Sequence, residues 1–371
     1  MFHTEKRRKL DLKFSDSNLR SPVFGSSPTI FVAQGIKPDV RIDVFGIEEF
    51  HVHSTILKLH SRFFYKFLDS PEKSGKPVSQ LFRYDYMAVE DPDGYWGLEP
   101  LGYAARNFDS SLKPSSSSGN TTPERMTEEK LLEIRCFKKL LCAMYNRPYR
   151  IDTPSELLAI TRLADFYIAL PIVSATLTDA LVNSELFSLK SHESTGYVTQ
   201  LEMLLCAHKL RHTLLFKDLL ILTVPEFNDF MERGEQIFAR IEETSTLMAL
   251  VQNLILQLVE KVARFNNALL TWIIRYPEVS GVLRNRYVNL LGHGRPYQTA
   301  AFFRALVQDP TMREDIVREP GLMEQLTSLL KNNLTFDTTG LNSGENIFMY
   351  SLLCTEVDDC DLPWDPEEVD W

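Results

Sequence analysis

Apolar and polar positions alternate most clearly over residues 40–44, where Val40, Ile42 and Val44 are separated by Arg41 and Asp43. That period of two predicts a half-buried strand, and Gly46 permits a turn into a second strand over Glu49–Val52, making a hairpin. The period then changes. Ile56, Leu57, Phe63, Phe64, Phe67 and Leu68 recur at helical spacings, and Ser54 and Ser61 are candidate N-caps for two short helices. A third strand is expected at Leu81–Met87, with Phe82, Tyr84 and Tyr86 on one face and Arg83 and Asp85 on the other. Helical spacing returns in Leu131, Ile134, Phe137, Leu141 and Tyr145, then in Leu157, Ile160, Leu163, Ala164 and Tyr167, and again from Ile172 to Leu181. Pro154 and Pro171 suit the first turns of helices.

Four stretches set the organisation. Residues 1–35 mix charge with Ser, Pro and Gly and hold no durable period, so they are expected to form a flexible basic arm, with order beginning near Asp39. Residues 36–184 form one α+β domain, interrupted over 90–124 by a Gly-, Pro- and Ser-rich insertion whose latter half is expected to be disordered. Residues 185–355 are expected to be an all-helical second domain. There Leu201, Leu204, Leu205, His208 and His212 fall on one candidate helix, and a long apolar-patterned run from Glu235 to Tyr276 ends at Pro277. Residues 356–371 form an acidic-aromatic tail.

The residues of the first domain resemble the BTB/POZ domain, a protein-interaction fold in which a small sheet is capped by helices. The likeness lies in Asp39-Val40 and its alternating strand, Phe50-His51-Val52-His53, the apolar step Ile56-Leu57, and Ser61 followed by Phe63-Phe64. Downstream, Phe137 with Leu141 and Tyr145, Glu156-Leu157-Leu158 and Ala164-Asp165-Phe166-Tyr167 resemble its later helices, so the likeness spans about residues 30–184. The arrangement is most similar to BTB proteins of filamentous fungi. Two departures stand out: Ser54, rather than a basic residue, follows the second histidine, and the 90–124 insertion separates the third strand from the next helix.

The resemblance implies a protein-binding role through self-association, including a homodimer, or as substrate adaptor of a cullin-based ubiquitin ligase. In the adaptor case the cullin-facing surface is expected near the second short helix and the helix beginning around Glu129, close to Phe63, Phe64, Phe67 and Tyr145, with Lys66 and Lys138 as exposed neighbours. The helical second half resembles the extension that often follows such domains.

Charge and candidate chemistry narrow the alternatives. The net charge is −10, and Glu356–Trp371 holds eight acidic and no basic residues, so no whole-domain basic footprint for direct nucleic-acid binding is expected. Neither a secretory signal nor an uninterrupted run of roughly 18 apolar residues is visible, and no membrane association is expected. Five cysteines without CxxC spacing read as reduced thiols, and the whole as a soluble intracellular protein, nuclear or cytoplasmic.

His51, His53 and His60 cluster early, while His208 and His212 have i, i+4 spacing. Too few ligands accompany either group for zinc, and Lys209 stands where a metalloprotease helix needs Glu. Gly292-His293-Gly294 lacks the third glycine of a dinucleotide loop, and no nucleophile elbow or phosphate loop is present. We therefore expect no enzyme and nominate no catalytic, cofactor-binding or metal-binding residues. Lys6-Arg7-Arg8-Lys9 reads as a nuclear import signal or a solvated arm. The tail, with Leu362, Trp364, Val369 and Trp371, reads as a partner-binding segment or as one that docks on its own chain. The alternative to adaptor or scaffold is a nuclear transcriptional regulator.

Overall fold

The computed structural model describes residues 27–70, 81–90, 96–101, 127–182, 184–226, 245–277, 281, 299–317, 319–368 and 371. Within these, the chain is α+β and divides into two compact units. One holds residues 27–53 and 81–101; the other holds 54–70 and everything from 127 onward.

The first unit is a five-stranded mixed sheet. Its strands are β1 (Thr29–Ile30), β2 (Val40–Val44), β3 (Glu48–Val52), β4 (Tyr84–Glu90) and β5 (Trp96–Pro100), in the order β1-β3-β2-β4-β5. The hairpin is as expected: β2 and β3 pair antiparallel with Ile42 opposite Phe50. Phe45 and Gly46 both take positive φ, and Ile47 N–H bonds the Val44 carbonyl, the primed turn whose twist matches that of the strands. Val40, Ile42, Val44, Phe50 and Val52 are all fully buried.

Three expectations are corrected here. Order starts before Asp39: Thr29–Ile30 pairs parallel with β3 and Phe31 is buried, an edge contact two residues long and too short to show a period. The third strand runs Tyr84–Glu90 in place of Leu81–Met87, and Asp85 is buried although the alternation put it on the polar face. Its carboxylate accepts two bonds from Arg41, its register partner on parallel β2, at 2.8 Å from Nε and 2.6 Å from the terminal nitrogen. A bidentate charged pair removes the desolvation problem that alternation alone cannot anticipate. Finally, the expected insertion begins with a strand: Trp96–Pro100 pairs antiparallel with β4, where Leu98 is buried, and its proline ends an edge. The serine-rich stretch of the expected insertion lies outside the described residues.

The second unit opens with α1 (Ser54–His60) and α2 (Arg62–Asp69) and continues with α3 (Glu128–Met144), α4 (Pro154–Phe166) and α5 (Leu170–Leu181). Ser61 caps α2 as expected, whereas Ser54 is the first residue of α1. Thr127 and Thr153 cap α3 and α4, and Pro154 and Pro171 sit in first turns. Next come α6 (Leu189–Ser194), α7 (Tyr197–Lys209), α8 (Thr213–Thr223), α9 (Ser245–Arg275), α10 (Thr299–Gln308), α11 (Pro310–Val317) and α12 (Pro320–Leu329).

Helix α9 is long and apolar enough, by length and composition, to cross a membrane, although no unbroken apolar run marks it in the sequence. Its polar residues interrupt the run without breaking the helix. One face, with Phe265, Leu269 and Trp272, packs into a core with Phe303, Leu306, Ile316, Leu326 and Leu352.

The all-helical expectation for 185–355 fails beyond α12. From Lys331 to Thr355 the chain is irregular apart from a 3-10 turn at Asn346–Phe348, because side chains take over its backbone groups. Arg304 donates twice to the Ser343 carbonyl and once to that of Leu330. Gly344 packs so closely that a Cβ there would lie 2.5 Å from the Ala300 carbonyl oxygen.

Buried Asp218 of α8 accepts Thr335 N–H at 2.8 and 3.0 Å and Phe336 N–H at 2.7 Å, tying this segment to the helices. Burial pushes its carboxyl up to about 6, against the lowering effect of those bonds. A raised folded value means stability that is complete below the unfolded pKa and is lost as pH rises to the folded one. Asp218→Ala is expected to cost ~1–3 kcal/mol at pH 7 by stranding these donors. The gap from the parent should widen as pH falls from about 6 to about 4, as read by urea unfolding at each pH.

Candidate interaction surface

Helix α2 carries aromatic side chains on two adjoining rows. Phe64 and Leu68, four residues apart, are buried; Phe63 and Phe67, also four apart, are half-buried; Tyr65 and Lys66 face solvent. The inner row stacks on Tyr167: the Phe64 and Tyr167 rings lie 5.1 Å apart and nearly parallel, with Phe137 5.6 Å away on α3. The outer row continues the ladder to the surface, Phe63 stacking on Phe67 at 4.9 Å and meeting Phe166 at 5.6 Å. Ser61 holds the two parts together. Its hydroxyl donates to the Tyr167 carbonyl at 2.5 Å and accepts the Phe64 N–H at 3.1 Å.

The outer row continues into exposed apolar groups: Phe166, 49% exposed, meets Phe63, and Ile168, 52% exposed, accepts the Arg62 N–H at the start of α2 through its carbonyl. Surface apolar groups are ordinary singly, but here Phe166 and Ile168 join the half-buried rings of Phe63 and Phe67 in one part of the unit. Ile168 adds a conformational argument. Helix α4 ends with Ala169 N–H on the Ala164 carbonyl and Ile168 N–H on that of Asp165, the paired bonds of a Schellman ending. The left-handed position of that motif normally holds glycine or asparagine, and Asn146 fills it at the end of α3. After α4 it is Ile168, with φ +49°. A β-branched residue there costs roughly 1–2 kcal/mol, and its half-exposed side chain does not recover that by burial.

Of the residues named from the sequence, Phe63, Phe67 and Lys66 lie on this surface. Phe64 is core instead. Tyr145 is half-buried at the end of α3, and Lys138 is half-buried, so the expectation that Lys138 is an exposed neighbour is corrected. Phe166 and Ile168 were not singled out as surface residues. The Phe166-Tyr167-Ile168 run before Pro171 was the available signal, since it leaves an apolar residue where a helix-ending glycine is usual.

The histidines are structural. His51 meets Glu49 and sets its ring 4.6 Å from Phe82 at a tilt of 56°, and buried His53 bonds the Ile36 carbonyl at 3.1 Å. His208 and His212 do not share a helix, because α7 stops at Lys209 and His212 is the N-cap of α8. Its Nδ1 accepts Leu215 N–H at 3.1 Å, leaving Nε2–H to donate to Thr178 Oγ1 at 2.9 Å.

Among the described residues, no histidine joins a group of three possible metal-ligating side chains. The group that does converge is Asp358, Cys360 and Asp361 in the tail, where Asp361 accepts the Asp358 N–H. No disulfide forms among the described residues, and burial pushes the thiols of Cys136 and Cys206 up to about 12 and about 11. The tail docks on its own unit through Trp364, whose ring meets Phe216 and His208. Lys6-Arg7-Arg8-Lys9 and Gly292-His293-Gly294 lie outside the described residues. Compared with protein-family models, curated proteins and solved structures, the chain matches none.

Two predictions follow from this geometry. Ile168→Asn, which suits the left-handed backbone, is expected to leave the melting temperature unchanged or raise it by a few degrees, about 1 kcal/mol of relieved strain offsetting lost contacts. A fall of more than about 5 °C would count against strain at this position.

Burial lowers His212 from 6.5 to about 4. The stability it contributes is therefore complete above its ordinary pKa and lost as pH falls to the folded value. His212→Asn keeps a capping oxygen, so denaturant unfolding should show a shallower loss of stability on going from pH 6.5 to 4, by ~2–3 kcal/mol.

Proposed function

We propose that this chain is a non-enzymatic protein-protein interaction protein of the BTB/POZ type, acting by self-association or as a substrate adaptor for a cullin-based ubiquitin ligase. The observation that carries this reading is the apolar patch of Phe63, Phe67, Phe166 and Ile168, set on a rigid aromatic ladder and including a strained residue. A surface of this composition favours association, because burying it against a complementary face removes apolar area from water without breaking hydrogen bonds. The order of elements adds support: a short edge strand, a hairpin, two short helices, a strand parallel to the first strand of the hairpin, one antiparallel to that, then helices. Burial also keeps Cys136 and Cys206 in their unreactive thiol forms.

The patch includes Phe63 and Phe67 of α2, near which the BTB resemblance puts the cullin-facing surface, and the adaptor role is the version we take forward. The helices from α7 to α12 would then present the substrate.

The test is calorimetric titration of the full chain with the N-terminal helical domain of the BTB-associated cullin, with light scattering on the same sample. Saturable binding is expected. It should weaken at least ~10-fold in Phe166→Asp and Ile168→Asp, whose side chains are half-exposed, while melting temperatures stay within about 3 °C. Absent binding together with a doubled mass would transfer the patch to self-association. Absent binding by a monomer would remove the adaptor and scaffold readings together.

A further inference from the structure

The acidic tail is seated on a basic and aromatic groove. Lys217 of α8 pairs with Asp359 at 2.8 Å, Arg211 in the α7–α8 turn pairs with Glu368 at 2.6 Å, and Lys261 of α9 lies 3.9 Å from Glu356. Between these pairs Trp364 sets its ring 4.9 Å from Phe216 and 5.8 Å from His208, near perpendicular to both, and Leu362 is buried. Arg211 also lays its guanidinium 4.8 Å over the ring of Trp371.

Two properties separate this contact from an ordinary chain end folded into a core. The receptor side is preformed by bonds that do not involve the tail. Arg211 occupies the left-handed position of a second Schellman ending, with φ +48°, Arg211 N–H on the His208 carbonyl and His212 N–H on that of Ala207. An arginine where glycine or asparagine is usual is held there by helix α7 and the cap of α8, and it presents its guanidinium to whatever lies in the groove.

The ligand side is loosely held. Its regular structure is one 3-10 turn at Asp359–Asp361, and the carboxylates of Asp359, Glu368 and Glu356 are more exposed than their basic partners. Ion pairs of that kind contribute little individually and are screened by salt. Leu352, Leu353 and Cys354 are buried before the tail begins, and within it Val357 and Leu362 are the buried apolar side chains.

We infer that the groove formed by His208, Arg211, Phe216, Lys217 and Lys261 is a docking site for an acidic, tryptophan-bearing segment of a partner protein. The tail is its resident intramolecular competitor. A tethered ligand acts at an effective concentration on the order of millimolar, so a partner segment must displace it, and occupancy depends on the tail being released. The groove is a different surface from the patch on α2, and this inference does not rest on the adaptor reading.

The probe is a fluorescein-labelled peptide of residues 356–371, titrated by anisotropy into the full chain and into a full-length variant with the tail anchors removed, Trp364→Ala with Glu368→Lys. The variant is expected to bind the peptide at least ~10-fold more tightly than the parent. Adding Lys217→Glu to it should reverse that gain, and raising salt from about 0.05 to about 0.5 M should weaken the binding severalfold. No saturable binding by a variant that melts as the parent does would overturn the proposal. So would a concentration-dependent doubling of mass abolished by Lys217→Glu, which would assign the groove to the tail of a second copy.

If the variant proves unstable, digestion of the unaltered chain by a Glu-specific protease decides the matter. Cleavage at Glu367 and Glu368 that accelerates severalfold over the same salt range supports a displaceable tail, and a salt-independent rate contradicts it.

Discussion

The contact on which the helical unit depends is the one between Ser61 and Tyr167. A single hydroxyl caps α2 and reaches the carbonyl that follows α4, while the Tyr167 ring lies against Phe64 and near Phe137. Residues 54–69 are separated in sequence from the other helices by β4 and β5, and this junction makes them part of the helical unit. The donor and acceptor are buried, so leaving either unpaired would carry a full desolvation penalty, and the geometry of α2 is correspondingly well determined. Everything proposed for the apolar patch follows from that: Phe63 and Phe67 stand where the α2 backbone is fixed by its neighbours, and the exposed ring of Phe166 stands one residue before Tyr167.

Helix endings give the second theme. The same pair of closing bonds ends α3, α4 and α7, and the left-handed residue is Asn146, Ile168 and Arg211 in turn. Only the first suits that conformation. The other two place side chains at surfaces with a reason to engage something: Ile168 in the patch, Arg211 against the tail. Strain held by a well-packed surround is a common accompaniment of binding sites, and two instances on two separate surfaces make each more informative than either alone.

Burial acts in opposite directions on the two titrating groups that organise α8. Asp218, raised, favours the fold toward acid, whereas His212, lowered, favours it above its ordinary pKa, and both belong to the junction of α8 with its neighbours. Their windows overlap between about pH 4 and 6, so the parent chain's stability there reflects partial cancellation, and single variants expose each contribution.

Much of the local structure was legible in residue order, because it depends on neighbours a few positions apart. The period-two run at Val40–Val44, the Ser61 cap, the helices around Phe137 and Leu157 and the first-turn prolines all express short-range backbone chemistry. Contacts between distant segments were not legible. Asp85 reads as an outward residue until Arg41 of another strand is placed beside it, and Thr29–Ile30 and Trp96–Pro100 are strands only because β3 and β4 supply their hydrogen bonds. His208 and His212 keep helical spacing in a chain that ends the helix between them, and the tail's choice between a partner and its own unit depended on where folding brought Lys217 and Arg211. Sequence by itself therefore determined the hairpin, the capped helices and their order, through interactions local in the chain. Tertiary structure decided which polar groups are paired, which aromatic residues reach the surface and what the tail covers, since burial and pairing energies depend on neighbours that only the fold brings together.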